Sequence, residues 1–163
     1  MLKNKIAIIM GSKNDFFGME DATKIFDQMG VNYDVEVVSA HRTPEWMYDF
    51  AKNAHNHYDI IIAGAGGSAH LPGMVASLTI LPVIGVPIFS DKFQGVDAVM
   101  SIVQMPKGTP VATMGVNNSA NAALFACKIL SLFDNTLLNK LKSYKENMKE
   151  NVFNSNKELK NKR

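Results

Sequence analysis

Three short stretches of the 163-residue chain collect side chains able to hold an anion or move a proton, and each lies where an apolar run ends. The first is Gly11-Ser12-Lys13-Asn14-Asp15. A glycine turn feeding a helix exposes backbone N–H groups that favour a phosphate; Ser12 adds a hydroxyl donor, and Asp15 is an acceptor suited to ribose hydroxyls. A tight turn with Asp15 as an ordinary helix cap is the structural alternative. The second is Ser39-Ala40-His41-Arg42-Thr43-Pro44, where a hydroxyl, an imidazole and a guanidinium stand together. Arg42 suits bidentate phosphate binding. An imidazole such as that of His41 can both give and take a proton near neutrality; a surface histidine beside a capping arginine is the plainer alternative. The third is Gly64-Ala65-Gly66-Gly67-Ser68-Ala69-His70. Its glycines let backbone approach a ligand closely, and successive N–H groups can form an anion nest. The spacing is not the dinucleotide fingerprint, because the third glycine is adjacent and not three residues on. His70 is a second candidate imidazole, with a hydrogen-bonded histidine near a helix start as its alternative.

The elements that must carry these stretches are legible as alternating strands and helices. Lys5 to Met10 is a short Ile-rich run of the kind buried on both faces of a sheet. Phe16 to Met29 carries apolar residues at helical spacing and is stopped by Gly30. A second strand is expected at Tyr33 to Val38. A helix follows, with Thr43 as cap and Pro44 in its first turn, running to about Asn56. Strands at Asp59 to Ala63, Val83 to Val86 and Val111 to Val116 alternate with helices at Leu71 to Leu78, Gln94 to Val103 and Ser119 to Leu132. This order predicts βαβ units: a flavodoxin-like three-layer αβα sandwich with a parallel five-stranded sheet. In such sheets ligands sit beyond the carboxyl ends of the strands, which is where all three stretches fall.

The expected catalytic domain spans residues 1–134. Residues 135–152 form an extended C-terminal amphipathic helix, with Leu137, Leu138, Leu141, Tyr144 and Met148 on one side to pack on the same or a neighbouring subunit. Residues 153–163 read as a polar tail.

Composition narrows the function classes. The net charge is +2, but residues 140–163 hold eight basic and three acidic side chains, leaving an acidic body that argues against a nucleic-acid face. A single cysteine, Cys127, excludes an internal disulfide and multi-thiolate zinc, and points to a reducing cytoplasm. It sits on an apolar helix and reads as a small core residue, while His55 and His57 lie in a polar turn without an assigned role. From Ile60 to Ser90 no Asp, Glu, Lys or Arg occurs, yet glycines and prolines cut the stretch into strand-sized pieces, so buried sheet is expected and no membrane span.

The segments MGSKND, VVSAHRTP, IIAGAGGSAHLPGM, PVIGVP, GVDA and SIVQMPKGTPV, in this order between about Ile6 and Leu132, resemble the PurE family of bacterial purine biosynthesis. The resemblance implies isomerisation of a (carboxyamino)imidazole ribonucleotide, the carboxylate moving from the exocyclic amine to ring carbon 4. It also implies a homo-octamer with sites near subunit junctions, and neither metal nor organic cofactor. It makes Ser12, Asp15 and Arg42 ribonucleotide ligands, puts Ser39 and Ala40 beside the phosphate and His41 on the catalytic imidazole, and lines the carboxyl pocket with Gly66, Gly67, Ser68, Ala69, His70 and Leu71. Asn14, where the family commonly has serine, the segment 90–94 and the short turn 116–119 depart from the pattern. Two rivals stand beside this reading: a carboxylase of the same fold fixing free carbon dioxide, and a non-catalytic nucleotide- or flavin-binding module.

Overall fold

A computed structural model describes residues 2–161. Five strands, β1 (Lys5–Met10), β2 (Asn32–Val37), β3 (Ile60–Gly66), β4 (Val83–Ile88) and β5 (Ala112–Thr113), form one sheet in the order β2-β1-β3-β4-β5, every pair parallel. That is the flavodoxin-like order, reversing direction between β1 and β3. Helices α1 (Phe16–Met29), α2 (Pro44–Asn53), α3 (His70–Leu78), α4 (Val96–Val103) and α5 (Ser119–Leu130) alternate with the strands, and α6 (Asn135–Asn161) follows. The chain divides into two compact units at the Ala126–Cys127 step, with the sheet and α1–α4 in the first.

The two sheet faces follow from the period of two along each strand. Ala7 and Ile9 of β1 join Ile61 and Ala63 of β3 in one cluster with Met47 and Phe50 of α2, Leu71 and Val75 of α3, and Ile102 of α4. Ile6 and Ile8 point the other way and are fully buried. On that side α1 lies close enough that a Cβ at Gly64 would sit 2.4 Å from Met19 Sδ, so glycine is what lets the helix approach β3. Helix α1 ends as its sequence demands: Gly30 adopts φ 67°, ψ 37°, and its N–H caps the Asp27 and Phe26 carbonyls.

Several boundaries differ from the sequence reading. The fifth strand is two residues long; pairing continues irregularly through Met114 N–H to the Gly85 carbonyl at 2.9 Å and Asn117 N–H to the Pro87 carbonyl at 2.8 Å. A lone edge has no second neighbour to enforce a regular ladder. Helix α2 stops at Asn53 and passes into a 3-10 turn at Ala54–Asn56. Thr43 begins α2 without capping it, because its hydroxyl is turned back to Ser39, accepting from the Ser39 N–H at 3.2 Å and donating to the Ser39 carbonyl at 3.1 Å. Helix α6 continues past 152 to Asn161, where a tail was expected: residues 153–161 contain no glycine or proline to end it. Within α6, Leu137 is buried and Leu138, Leu141 and Tyr144 partly so, whereas Met148 is 55% exposed and every residue from Lys145 to Asn161 is exposed. No helix among the described residues is long and apolar enough to cross a membrane.

Candidate active site

The loops leaving β1, β2 and β3 converge at the carboxyl edge of the sheet, as parallel strands require. Met10 pairs with Val37 on one side and with Gly64 on the other, which brings Gly11, Ser39 and Gly66 within one neighbourhood. A cleft of about 470 Å³ opens there. Its lining includes Ser12, Asp15, Ser39, Ala40, His41, Arg42, Gly66, Gly67, Ala69, His70 and Leu71, all expected from the sequence. Ser68 is the exception: it is exposed at the turn and absent from the lining, because the reversal at Gly67 (φ 61°) and Ala69 (φ 33°) carries it outward.

The first loop is set by Ser12. Extended at φ −153°, ψ 150°, it accepts at Oγ from the Asn14 N–H at 3.2 Å and so caps a 3-10 turn at Lys13–Asp15. Asp15 makes no side-chain cap at the start of α1. Its carboxylate is therefore not consumed by the helix. Burial pushes the Asp15 carboxyl above its ordinary range, while a backbone hydrogen bond at Ser12 and the Arg42 guanidinium pull it partly back.

The second loop is tied to the first. Arg42 Nε donates to Ser39 Oγ at 3.2 Å, its backbone N–H reaches the same oxygen at 3.3 Å, and Nη2 donates to the Gly11 carbonyl. Ser39 is 8% exposed, so its hydroxyl serves as a buried post for the guanidinium. His41, one residue before, meets His70 from the third loop: His41 Nε2 and His70 Nδ1 are 2.7 Å apart, with the rings at 87°. Gly67 carries nothing within 4 Å of where a Cβ would stand, which leaves that side of the cleft open to a ligand.

Phe89 and Ser90 also line the cleft and were not anticipated as site residues. Both follow β4, and the rule that located the other three loops applies equally to that strand. The Ser90 hydroxyl is buried with no hydrogen-bond partner among the described residues, an arrangement that favours a polar atom supplied by a ligand. Beyond Arg42 the cleft adjoins a second depression of about 600 Å³, bounded by Lys13, Asn14, Val37 and Thr43 and sharing Ser12, Ser39 and Arg42. Among the described residues no group of three or more His, Cys, Asp or Glu side chains is placed to hold a metal ion.

Residues 5–151 match the AIR carboxylase family. An N5-carboxyaminoimidazole ribonucleotide mutase of Saccharolobus solfataricus is 54% identical over 149 residues, covering 91% of this chain and 94% of that protein. The N5-carboxyaminoimidazole ribonucleotide mutase of Haemophilus influenzae is 53% identical, covering 88% and 89%. The crystal structure of Treponema denticola PurE superposes with a TM-score of 0.87 at 30% identity, covering 96% of this chain and 98% of that one.

Proposed function

The chain belongs to the AIR carboxylase family, and from that membership and the cleft geometry we propose that it is a mutase converting N5-carboxyaminoimidazole ribonucleotide to the ring-carbon-4 carboxylate isomer. The observation that carries the proposal is the pairing of chemistries on one wall: an imidazole, His41, adjoins a guanidinium, Arg42, that is fastened to the loops after β1 and β2.

Catalysis divides between the two. A carbamate nitrogen leaves poorly until protonated, so His41 as general acid delivers a proton to it and the carbon–nitrogen bond breaks, releasing carbon dioxide and an electron-rich aminoimidazole. Ring carbon 4 then attacks the carbon dioxide. The tetrahedral carbon so formed loses its proton to His41, now neutral, which restores the starting acid. General acid–base catalysis contributes roughly 10² to 10⁴-fold, and confinement of carbon dioxide beside carbon 4 adds the benefit of proximity. Gly66 and Gly67 form a wall without side chains for that purpose.

Substrate binding is remote from the reacting atoms. Arg42, Ser12 and Ser39 hold the phosphate, with Ala40 beside it, and Asp15 accepts from ribose hydroxyls. Binding energy at that end fixes the register of the base against His41. The enzyme acts in the cytoplasm without metal or organic cofactor, and neither nucleic acid nor membrane is its partner. It assembles as a homo-octamer; support comes from large apolar side chains left exposed on the single chain, among them Ile80 at 92% and Phe133 at 74%.

Incubation of the purified protein with N5-carboxyaminoimidazole ribonucleotide, without ATP or added bicarbonate, tests the proposal. The carbon-4 carboxylate is the expected product. Product formed only from the unsubstituted aminoimidazole ribonucleotide and bicarbonate would replace the mutase with a carboxylase, and no product from either would reject both.

A further inference from the structure

The acid and base roles given to His41 require one of its ring nitrogens to be free for the substrate, and the contact with His70 decides which. His41 Nε2 lies 2.7 Å from His70 Nδ1, and among the described residues neither ring makes another hydrogen bond. A separation that short between two imidazole nitrogens holds one proton, donated by one ring to a bare nitrogen of the other. Two arrangements are available to a neutral pair. If His70 donates from Nδ1, His41 must accept at Nε2 and carry its own proton on Nδ1; it then has no free basic nitrogen and can act as a base only by breaking the contact. If His41 donates from Nε2, its Nδ1 is bare and available.

We propose that His70 is a positioning residue for His41: its Nδ1 accepts the Nε2–H of His41, fixing the tautomer and leaving Nδ1 as the atom that exchanges protons with substrate. This rests on the reading of His41 as acid and base. Proton accounting closes under it. The acid form of His41 carries hydrogen on both nitrogens. It gives the Nδ1 proton to the carbamate nitrogen and becomes neutral with Nε2–H still bonded to His70. It then takes the carbon-4 proton at Nδ1 and returns to the acid form. The His41–His70 bond persists through both half-reactions, much as a buried carboxylate orients the histidine of a serine-protease triad.

The fold holds His70 for this task. It is the first residue of α3, presented by Ala69 in a left-handed conformation (φ 33°, ψ 46°) whose N–H is bound to the Gly66 carbonyl at 3.1 Å. A non-glycine residue seldom takes this conformation, and the turn it makes sets the ring against a loop 29 residues earlier.

The test combines a spectrum with kinetics. In ¹⁵N-histidine-labelled protein at a pH where the rings are neutral, with His41→Asn used to assign the signals, His41 is expected as the Nε2–H tautomer; the Nδ1–H tautomer would overturn the proposal. His70→Leu should lower kcat at least about 10-fold, a part of the roughly 10² to 10⁴-fold that acid–base catalysis as a whole contributes, with KM nearly unchanged. His70→Asn, whose amide oxygen can stand where Nδ1 stood, should recover most of the loss. Equal damage from both substitutions in folded protein, or no damage from either, would overturn it. Full activity of His41→Asn would instead reject the underlying functional reading, whatever the His70 variants do.

Discussion

Arg42 bridges two loops that the chain keeps 28 residues apart, with Nε on Ser39 Oγ at 3.2 Å and Nη2 on the Gly11 carbonyl. Only a planar group with several fixed donors can make both bonds and still face a phosphate. Arg42→Lys should therefore keep the charge but lose the bridge, raising KM for the ribonucleotide about 10- to 100-fold, the equivalent of roughly 1.5–3 kcal/mol for one charged hydrogen bond. Steady-state kinetics check this, and a fall in kcat at constant KM would remove Arg42 from phosphate binding.

Asp15 sets function against stability. Its carboxyl is raised chiefly by burial, so the folded state holds the proton to higher pH than the unfolded chain does. Stability linked to this group is complete in acid, falls as pH rises through the unfolded and then the folded pKa, and stays lower at neutrality. Asp15→Asn should raise Tm at pH 7 relative to the parent, with the gap closing below about pH 4, the ordinary carboxylate range. The same variant should bind ribonucleotide more weakly. Melting curves at both pH values, with a binding titration, check the pair of effects.

The elements were legible where local chemistry decides them, and obscure where packing does. Spacing of Met19, Ala22, Ile25, Phe26 and Met29 with Gly30 as stop marks α1 to the residue. The Ile-rich run of β1 marks a strand covered on both faces, and alternation of elements gives the sheet class. By contrast, β5 is an edge whose length depends on what β4 offers it, and the end of α6 depends on the absence of a breaker in a polar sequence. In the site, residue type and position after a strand identify His41 and Arg42. The meeting of His41 with His70 depends on the crossover from β2 to β3 over β1 and on the Ala69 conformation, neither of which a linear reading contains. Ser68 lies between lining residues in sequence yet stands exposed at the turn, outside the cleft lining, and that placement too depends on backbone conformation.

Cys127 should be inert. It is fully buried, and burial pushes its thiol up to about 12. At pH 8 the reactive thiolate is then on the order of 10⁻⁴ of the total. A disulfide reagent such as Ellman's should leave the native protein unmodified over an hour and titrate one thiol per chain in urea. Rapid modification of the native protein would contradict the burial.

Two glycines separate crowding from conformation. Gly64→Ala drives a Cβ to 2.4 Å from Met19 Sδ and 2.9 Å from its Cγ, and should cost about 1–3 kcal/mol as overpacking. Gly67→Ala meets nothing within 4 Å but keeps φ near 61°, so it should cost about 1–2 kcal/mol from backbone strain. Met19→Ala should rescue the first and not the second. Urea denaturation of the single and double variants reads the coupling directly.

His41→Asn shows whether one imidazole serves both the release and the recapture of carbon dioxide. This variant should bind the ribonucleotide within a few-fold of the parent by calorimetry, yet convert it at least about 10²-fold more slowly, the lower bound for loss of acid–base catalysis. Conversion at a rate close to that of the parent would contradict it.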